Sequence, residues 1–358
     1  MKKIGLGLIA LLLAITSLAA CGQQQQQAAK KAPVLVKSPY EDTQFLMGTV
    51  VTLRVYDKGK QAALDDAFAR IKTLARETTV NQKGSEVDAV NAQAGKRAVK
   101  VTPAIYRMVK YAKNYSEKSQ GAFDLAIGPI TSLWHIGFPD ARKPSQAEID
   151  AKLPLVNYKD VLLNDNKQTV YLKRSGMALD LGGIAKGFIA DEVIKVLKKD
   201  HVSTAIVDLG GNIYVLGHSP KQKNADWNVG IQDPKEARGT AIGTVPASNM
   251  TVVTSGIYER KLVVDGHTYS HLMNPKTGYP FDNNLMGVSI ITKKSVDGDA
   301  LSTATFDKGL KAGMAFIEKT GYAEAIFITK DKHVYVSSGL KKDFKLLKGS
   351  GYKLAELP

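Results

Sequence analysis

Residues 180–216 read DLGGIAKGFIADEVIKVLKKDHVSTAIVDLGGNIYVL. Ile184 to Lys199 repeats apolar residues at helical spacing, and Thr204 to Leu216 is β-branched and apolar, a strand interrupted by Gly210-Gly211. The same mixture continues on both sides. Upstream, Gln44 to Tyr56 is β-rich, and Ala62 to Arg76 carries the apolar stripe of an amphipathic helix. Thr102-Pro103 opens a second helix with Ile105, Met108, Val109 and Ala112 inward, stopping before Gly121. Val161 to Leu172 reads as a hairpin turning at Asn164-Asp165-Asn166. Downstream come strands at Trp227–Gln232, Thr240–Val245 and Thr251–Ser255, a hairpin at Asp265-Gly266, and a strand at Met286–Thr292. A helix follows from about Asp299 to Lys319, then a terminal hairpin around Lys330-Asp331-Lys332. Helices and hairpins in this mixed order predict an α+β fold with antiparallel-rich mixed sheets and packed helices.

The 358 residues are 44% apolar and 23% charged, which excludes disorder as the main state. One cysteine, Cys21, excludes an intramolecular disulfide, a cysteine-rich zinc site and an iron–sulfur cluster. The net charge of +15 suits nucleic acid, an anionic envelope or an anionic small molecule. No arginine-rich stripe, zinc-finger spacing or RNA-binding aromatic motif accompanies it, so nucleic acid is not expected as a partner.

Lys2 and Lys3, the apolar run Ile4–Ile15 and Leu18-Ala19-Ala20 before Cys21 read as a secretory signal, too short in its apolar part to span a membrane stably. Leu-Ala-Ala-Cys resembles a bacterial lipobox, with Cys21 as the lipidated first mature residue. Gly22 and the tract Gln23–Gln27 then form a tether. The expected organisation is a leader over 1–20, lipidated Cys21 and a flexible tether over 21–39, and one domain over 40–358. Removing the leader leaves 47 basic against 34 acidic residues, a mature charge of +13 with no thiol in the folded part.

Two glycine-rich segments, Asp180–Gly187 and Asp208–Asn212, allow close backbone approach to a phosphate, the first of them at a helix start; glycine pairs also serve plain turns and close packing. In Tyr269–Pro280, Asn274-Pro275 and Thr277-Gly278 impose a rigid turn that fixes His271, either as a proton acceptor or as a structural imidazole. Asp299 and Thr303, one helical turn apart, can converge on one small hard cation, and an aspartate near a helix start can equally be a cap. Gly121-Ala-Phe123-Asp124 combines an aromatic with an acid, as pocket wall or core.

Together and in this order, Met47-Gly-Thr, Gly121-Ala-Phe-Asp, Asp180-Leu-Gly-Gly-Ile-Ala-Lys-Gly, Leu209-Gly-Gly-Asn, Thr254-Ser-Gly-x-Tyr-x-Arg260, Ser270-His-x-x-x-Pro-x-Thr-Gly-x-Pro and Asp299-Ala-x-x-Thr303 resemble the ApbE-type FAD:protein FMN transferases over about Phe45 to Leu310. The resemblance implies a T-fold-like α+β architecture and Mg²⁺-dependent transfer of FMN from FAD to a threonine or serine hydroxyl of an exported acceptor protein, with release of AMP. It implies metal ligation by Asp299, Thr303 and the Ala185 carbonyl, and catalysis by His271. Implied flavin contacts are Met47, Ala122, Phe123, Asp124, Gly182, Phe188 and Met273. Spacing from Ser85-Glu86 puts Asn81 where many members carry an aromatic stacked on the flavin adenine; Asn81 replaces it with hydrogen bonds, or Tyr258 fills the space. Many members are envelope lipoproteins, so the expected place is the extracytoplasmic face of the cell membrane. Two other readings share these residues: a lipid-anchored flavin- or solute-binding protein, and an FAD pyrophosphatase giving FMN and AMP.

Overall fold

Met47 and Gly48 both take positive φ, 54° and 70°, the backbone of a tight turn between right-twisting strands. The apolar stretch 44–56 is therefore folded back on itself, with strand Leu35–Leu46 antiparallel to Thr49–Asp57. Val51, Leu53 and Val55 point into the core, while Glu41–Arg54, Thr43–Thr52 and Phe45–Val50 pair across the outer face. A computed structural model describes residues 33–80, 83–222 and 224–357, and the structure is that of the unit Leu35–Pro358. The leader, Cys21, the glutamine tract and Asn81 lie outside the described residues. Residues 35–39, expected at the end of the tether, already belong to the first strand. This is an edge strand, where Pro39 costs no ladder bond and the register shifts between Leu35 and Tyr40.

The main sheet has nine strands in the order Leu35–Leu46, Thr49–Asp57, Ala205–Leu209, Asn212–Leu216, Met250–Gly256, Leu285–Thr292, Ala323–Thr329, His333–Val336 and Lys353–Leu354. Every neighbour pair is antiparallel except the last. The stretch Thr204–Leu216 is thus two strands of a hairpin rather than one interrupted strand. Gly210 and Gly211 make its turn with φ of 67° and 91°, and a Cβ on Gly210 would come within 2.1 Å of Thr49 Oγ1. One face of the sheet packs under a small sheet formed by Trp227–Gln232, Ala241–Ala247 and Lys345–Leu346, burying Trp227, Ile231 and Ile242.

Helices cover the other face: α1 (Ala62–Thr78), α2 (Pro103–Lys118), α3 (Ala185–Lys199) and α4 (Ser295–Thr320). α1 buries Ala63, Leu64, Ala67, Phe68, Ile71 and Leu74, the stripe its spacing predicts. Among the described residues no helix is long and apolar enough to cross a membrane.

α3 and α4 meet backbone to backbone. A Cβ on Gly187 would lie 2.3 Å from the Ser295 carbonyl oxygen. Lys294, at the N-cap position of α4, makes no side-chain cap. Instead the Asp191 carboxylate of α3 accepts from the N–H groups of Ser295 and Val296 at 2.8 and 3.0 Å. In return Asp299 of α4 accepts from Gly187 N, in the first turn of α3, at 2.8 Å. α4 therefore begins four residues earlier than the sequence pattern predicts, and Asp299 sits in its second turn. It caps the neighbouring helix and not its own, because each helix supplies the anion that the other's unpaired N–H groups need.

Gly187→Ala should destabilise the fold by about 1–3 kcal/mol through overpacking at this crossing. A urea midpoint equal to that of the wild type would refute the backbone contact.

Candidate active site

Three segments converge at the start of α3. Asp180 Oδ1 accepts from Gly182 N at 2.8 Å and shapes the turn before the helix. Gly183 follows, where a Cβ would stand 3.1 Å from the Phe123 ring and 3.2 Å from Thr303 Oγ1. Its missing side chain keeps the space between that aromatic and that hydroxyl. Asp124 holds the Phe123 loop in place, with one carboxylate oxygen on Ala126 N at 2.8 Å and the other on Tyr158 N at 3.0 Å. Burial pushes its pKa up, and these two N–H groups offset part of the shift. Ala122 beside it is buried.

Asp299 is 4% exposed and has no ion-pair partner among the described residues. Burial raises its pKa; the Lys186 charge and Gly187 N–H pull the other way. One turn on, Thr303 Oγ1 is 3.4 Å from the Asp299 carbonyl, a weak bond that leaves the hydroxyl available. Among the described residues no group of three or more His, Cys, Asp or Glu could hold a metal. The donors here are of another kind: one buried carboxylate lacking a counter-ion, one hydroxyl facing the Gly183 space, and the Ala185 carbonyl at the first position of α3. Such hard oxygens fit Mg²⁺, which keeps several of its waters and takes few protein ligands.

His271 follows the hairpin of Lys261–Val264 and His267–Ser270. Its main-chain N–H donates to the Arg260 carbonyl at 3.1 Å, and Nδ1 lies 3.3 Å from the same oxygen. A carbonyl only accepts, so Nδ1 carries the proton and Nε2 is left as the acceptor. The turn behind it is held as its residues predict: Asn274 Oδ1 takes Lys276 N at 2.8 Å, and Gly278 N bonds to the Asn274 carbonyl at 2.9 Å. Buried Trp134 donates Nε1 to the Gly278 carbonyl at 2.8 Å. Met273 packs with Trp134, Ile130 and Ile149. Burial, with the Arg260 and Lys186 cations, holds the half-buried imidazole down to about 3.

The expected residues thus fall into distinct groups. Phe123, Gly182, Gly183, Ala185, Asp299 and Thr303 gather at the α3 start. His271 and Met273 stand on the Trp134-braced turn, linked to that start by the Lys186 charge, which acts on both Asp299 and His271. Met47 is half-buried in a turn adjoining Gly210. Phe188 is buried, with Tyr111 edge-on at 6.4 Å and Arg107 at 5.9 Å, both from α2. Tyr258 lies on Gly256, where a Cβ would come within 2.1 Å of its ring, and burial pushes the phenol up. Lys186 and Arg260 belong to the matching motifs, and the resemblance implies no role for either. The available signal was that Lys186 is a cation in a first turn that holds no acid.

A glycine-lined helix start, a buried carboxylate one turn from a hydroxyl and a turn-held neutral imidazole are groups that an α+β transferase acting at phosphate would use. Residues 47–327 match the sequence model of the ApbE family, and the chain belongs to it. An FAD:protein FMN transferase of Klebsiella pneumoniae is 36% identical, the match covering 88% of this chain and 97% of that protein. One from Treponema pallidum is also 36% identical, covering 86% and 89%. The crystal structure of an ApbE protein from Thermotoga maritima superposes with a TM-score of 0.78 at 29% identity, covering 85% of this chain and 98% of the other. The apo flavinyl transferase ApbE of Pseudomonas stutzeri gives 0.75 at 26%, covering 86% and 97%. The α+β reading of the sequence holds throughout.

Because the free protein disfavours imidazolium at this position, the His271 ring proton signals should not titrate between pH 7.5 and 5 in an NMR series. A midpoint near 6.5 would contradict the described surroundings. His271 supports folding fully above its unfolded value of 6.5, and that support declines as pH falls toward about 3.

Proposed function

We propose that this protein transfers FMN from FAD to a threonine or serine hydroxyl of an exported acceptor protein, forming a phosphoester and releasing AMP. Family membership and transferase relatives at 36% identity support the reaction class. The observation that carries the reading is the counter-ion-free Asp299, one turn from Thr303, at the glycine-lined start of α3. Asp299, Thr303 and the Ala185 carbonyl would hold Mg²⁺, which when bound supplies positive charge against the FAD diphosphate.

The chain's own residues do the rest. The unprotonated Nε2 of His271 takes the proton of the acceptor hydroxyl as its oxygen attacks the FMN-side phosphorus. The bond from that phosphorus to the bridging oxygen breaks, and AMP leaves with that oxygen. The Arg260 carbonyl keeps the ring in the required tautomer. Gly183 lets the substrate approach Thr303 closely, beside the Phe123 ring. Met47, Ala122, Asp124, Gly182, Phe188 and Met273 are assigned to the flavin by motif position, with Asp124 acting through the loop it braces. Lipidation of Cys21 would hold the domain at the extracytoplasmic face, among exported acceptors.

Incubation with FAD, Mg²⁺ and envelope proteins should leave a flavin fluorescence on the acceptor that survives denaturing electrophoresis. His271→Ala should lower the rate by about 10²–10⁴-fold with FAD affinity little changed; transfer near the wild-type rate would remove His271 as the base. Cys21→Ala should move the protein from the membrane to the soluble fraction, and unchanged membrane retention would refute the anchor.

A further inference from the structure

Lys186 occupies the second position of α3, where the helix dipole disfavours a cation and where acids are usual. It is half-buried, and among the described residues its ammonium has no carboxylate within ion-pair distance. Its charge reaches Asp299 and His271 without a direct pair to either. Arg260 is also unpaired among the described residues, although the preceding Glu259 is bound by Arg238 at 2.6 Å. Its stem rests on Gly137, where a Cβ would come within 2.6 Å of Arg260 Cδ, and its carbonyl orients His271. Both charges therefore act on one imidazole, and among the described residues neither has a carboxylate partner. The cost falls on Lys186, half-buried at a helix start, whereas the Arg260 side chain is exposed; an anion between them would pair with both.

We propose that Lys186 and Arg260 bind the diphosphate of the dinucleotide substrate, Lys186 holding phosphate oxygens beside the metal ligands and Arg260 closing the side next to His271. The assignment rests on the transferase reading and gives it two substrate-binding side chains that Asp299, Thr303 and His271 do not supply. It also accounts for the state of the base. Burial is the first cause of the lowered His271 value and the two cations add to it; diphosphate charge would offset the cations and make His271 a better proton acceptor than it is in the free protein.

The test is binding of ADP, FAD and riboflavin to the full chain in EDTA, comparing wild type with Lys186→Met, Lys186→Arg and Arg260→Gln. ADP carries the diphosphate without the flavin, and riboflavin the flavin without phosphate. Lys186→Met should weaken ADP and FAD at least tenfold and leave riboflavin within twofold, Lys186→Arg should recover part of the loss, and Arg260→Gln should act in the same direction. Unchanged ADP affinity in both neutral variants would overturn the proposal and leave Lys186 as a distant counter-ion of Asp299. Equal losses for ADP and riboflavin would also overturn it, as general damage to the site. A wild type that binds ADP through Lys186 but attaches flavin to no acceptor would uphold this assignment and sink the transferase reading.

Discussion

The contact of α3 with α4 at Gly187 is the constraint on which the site depends. With no side chain there, the two backbones touch, and each helix places a carboxylate on the other's unpaired N–H groups: Asp191 on Ser295 and Val296, Asp299 on Gly187. The geometry that satisfies these donors also brings a carboxylate, a hydroxyl and the first carbonyls of α3 to one place. Burial is the cost. It pushes Asp191 up to about 6 and raises Asp299 as well, against the pull of the N–H groups they accept from. A buried carboxylate with only one N–H bond is prepared for a cation in a way that an exposed one is not.

The second determinant is the field around His271. The turn from His271 to Pro280 is fixed by its own hydrogen bonds and by Trp134, and the imidazole is held on the Arg260 carbonyl, where burial and the Arg260 and Lys186 charges act on it. A base standing in a positive field is poor for a neutral reactant and suited to one that arrives with its own negative charge. The overall basic excess of +15 would attract such an anion at longer range.

Much of this was legible in the sequence because it depends on local chemistry. The helix stripes of α1 and α2, the Asn274-Pro275 and Thr277-Gly278 turn, and the order of the motifs follow from residues close together in the chain. What was not legible depends on distant partners. The first turn of α4 carries no side-chain cap, and its real cap, Asp191, is 104 residues away. Gly210-Gly211 resembled an interruption because both flanking segments have the same strand period, and only their positive φ makes them a turn. Residues 35–39 looked like tether because an edge strand tolerates polar residues and Pro39. The isolation of Lys186 and Arg260 needs knowledge of where every carboxylate lies, which spacing does not contain.

Where the flavin phosphate goes distinguishes transfer from hydrolysis. The most direct measurement is mass spectrometry of an exported acceptor incubated with this protein, FAD and Mg²⁺, with AMP quantified in the same sample. The result expected is one FMN joined through phosphate to a threonine or serine for each AMP released. Equal amounts of free FMN and AMP, with no adduct on any acceptor, would contradict it.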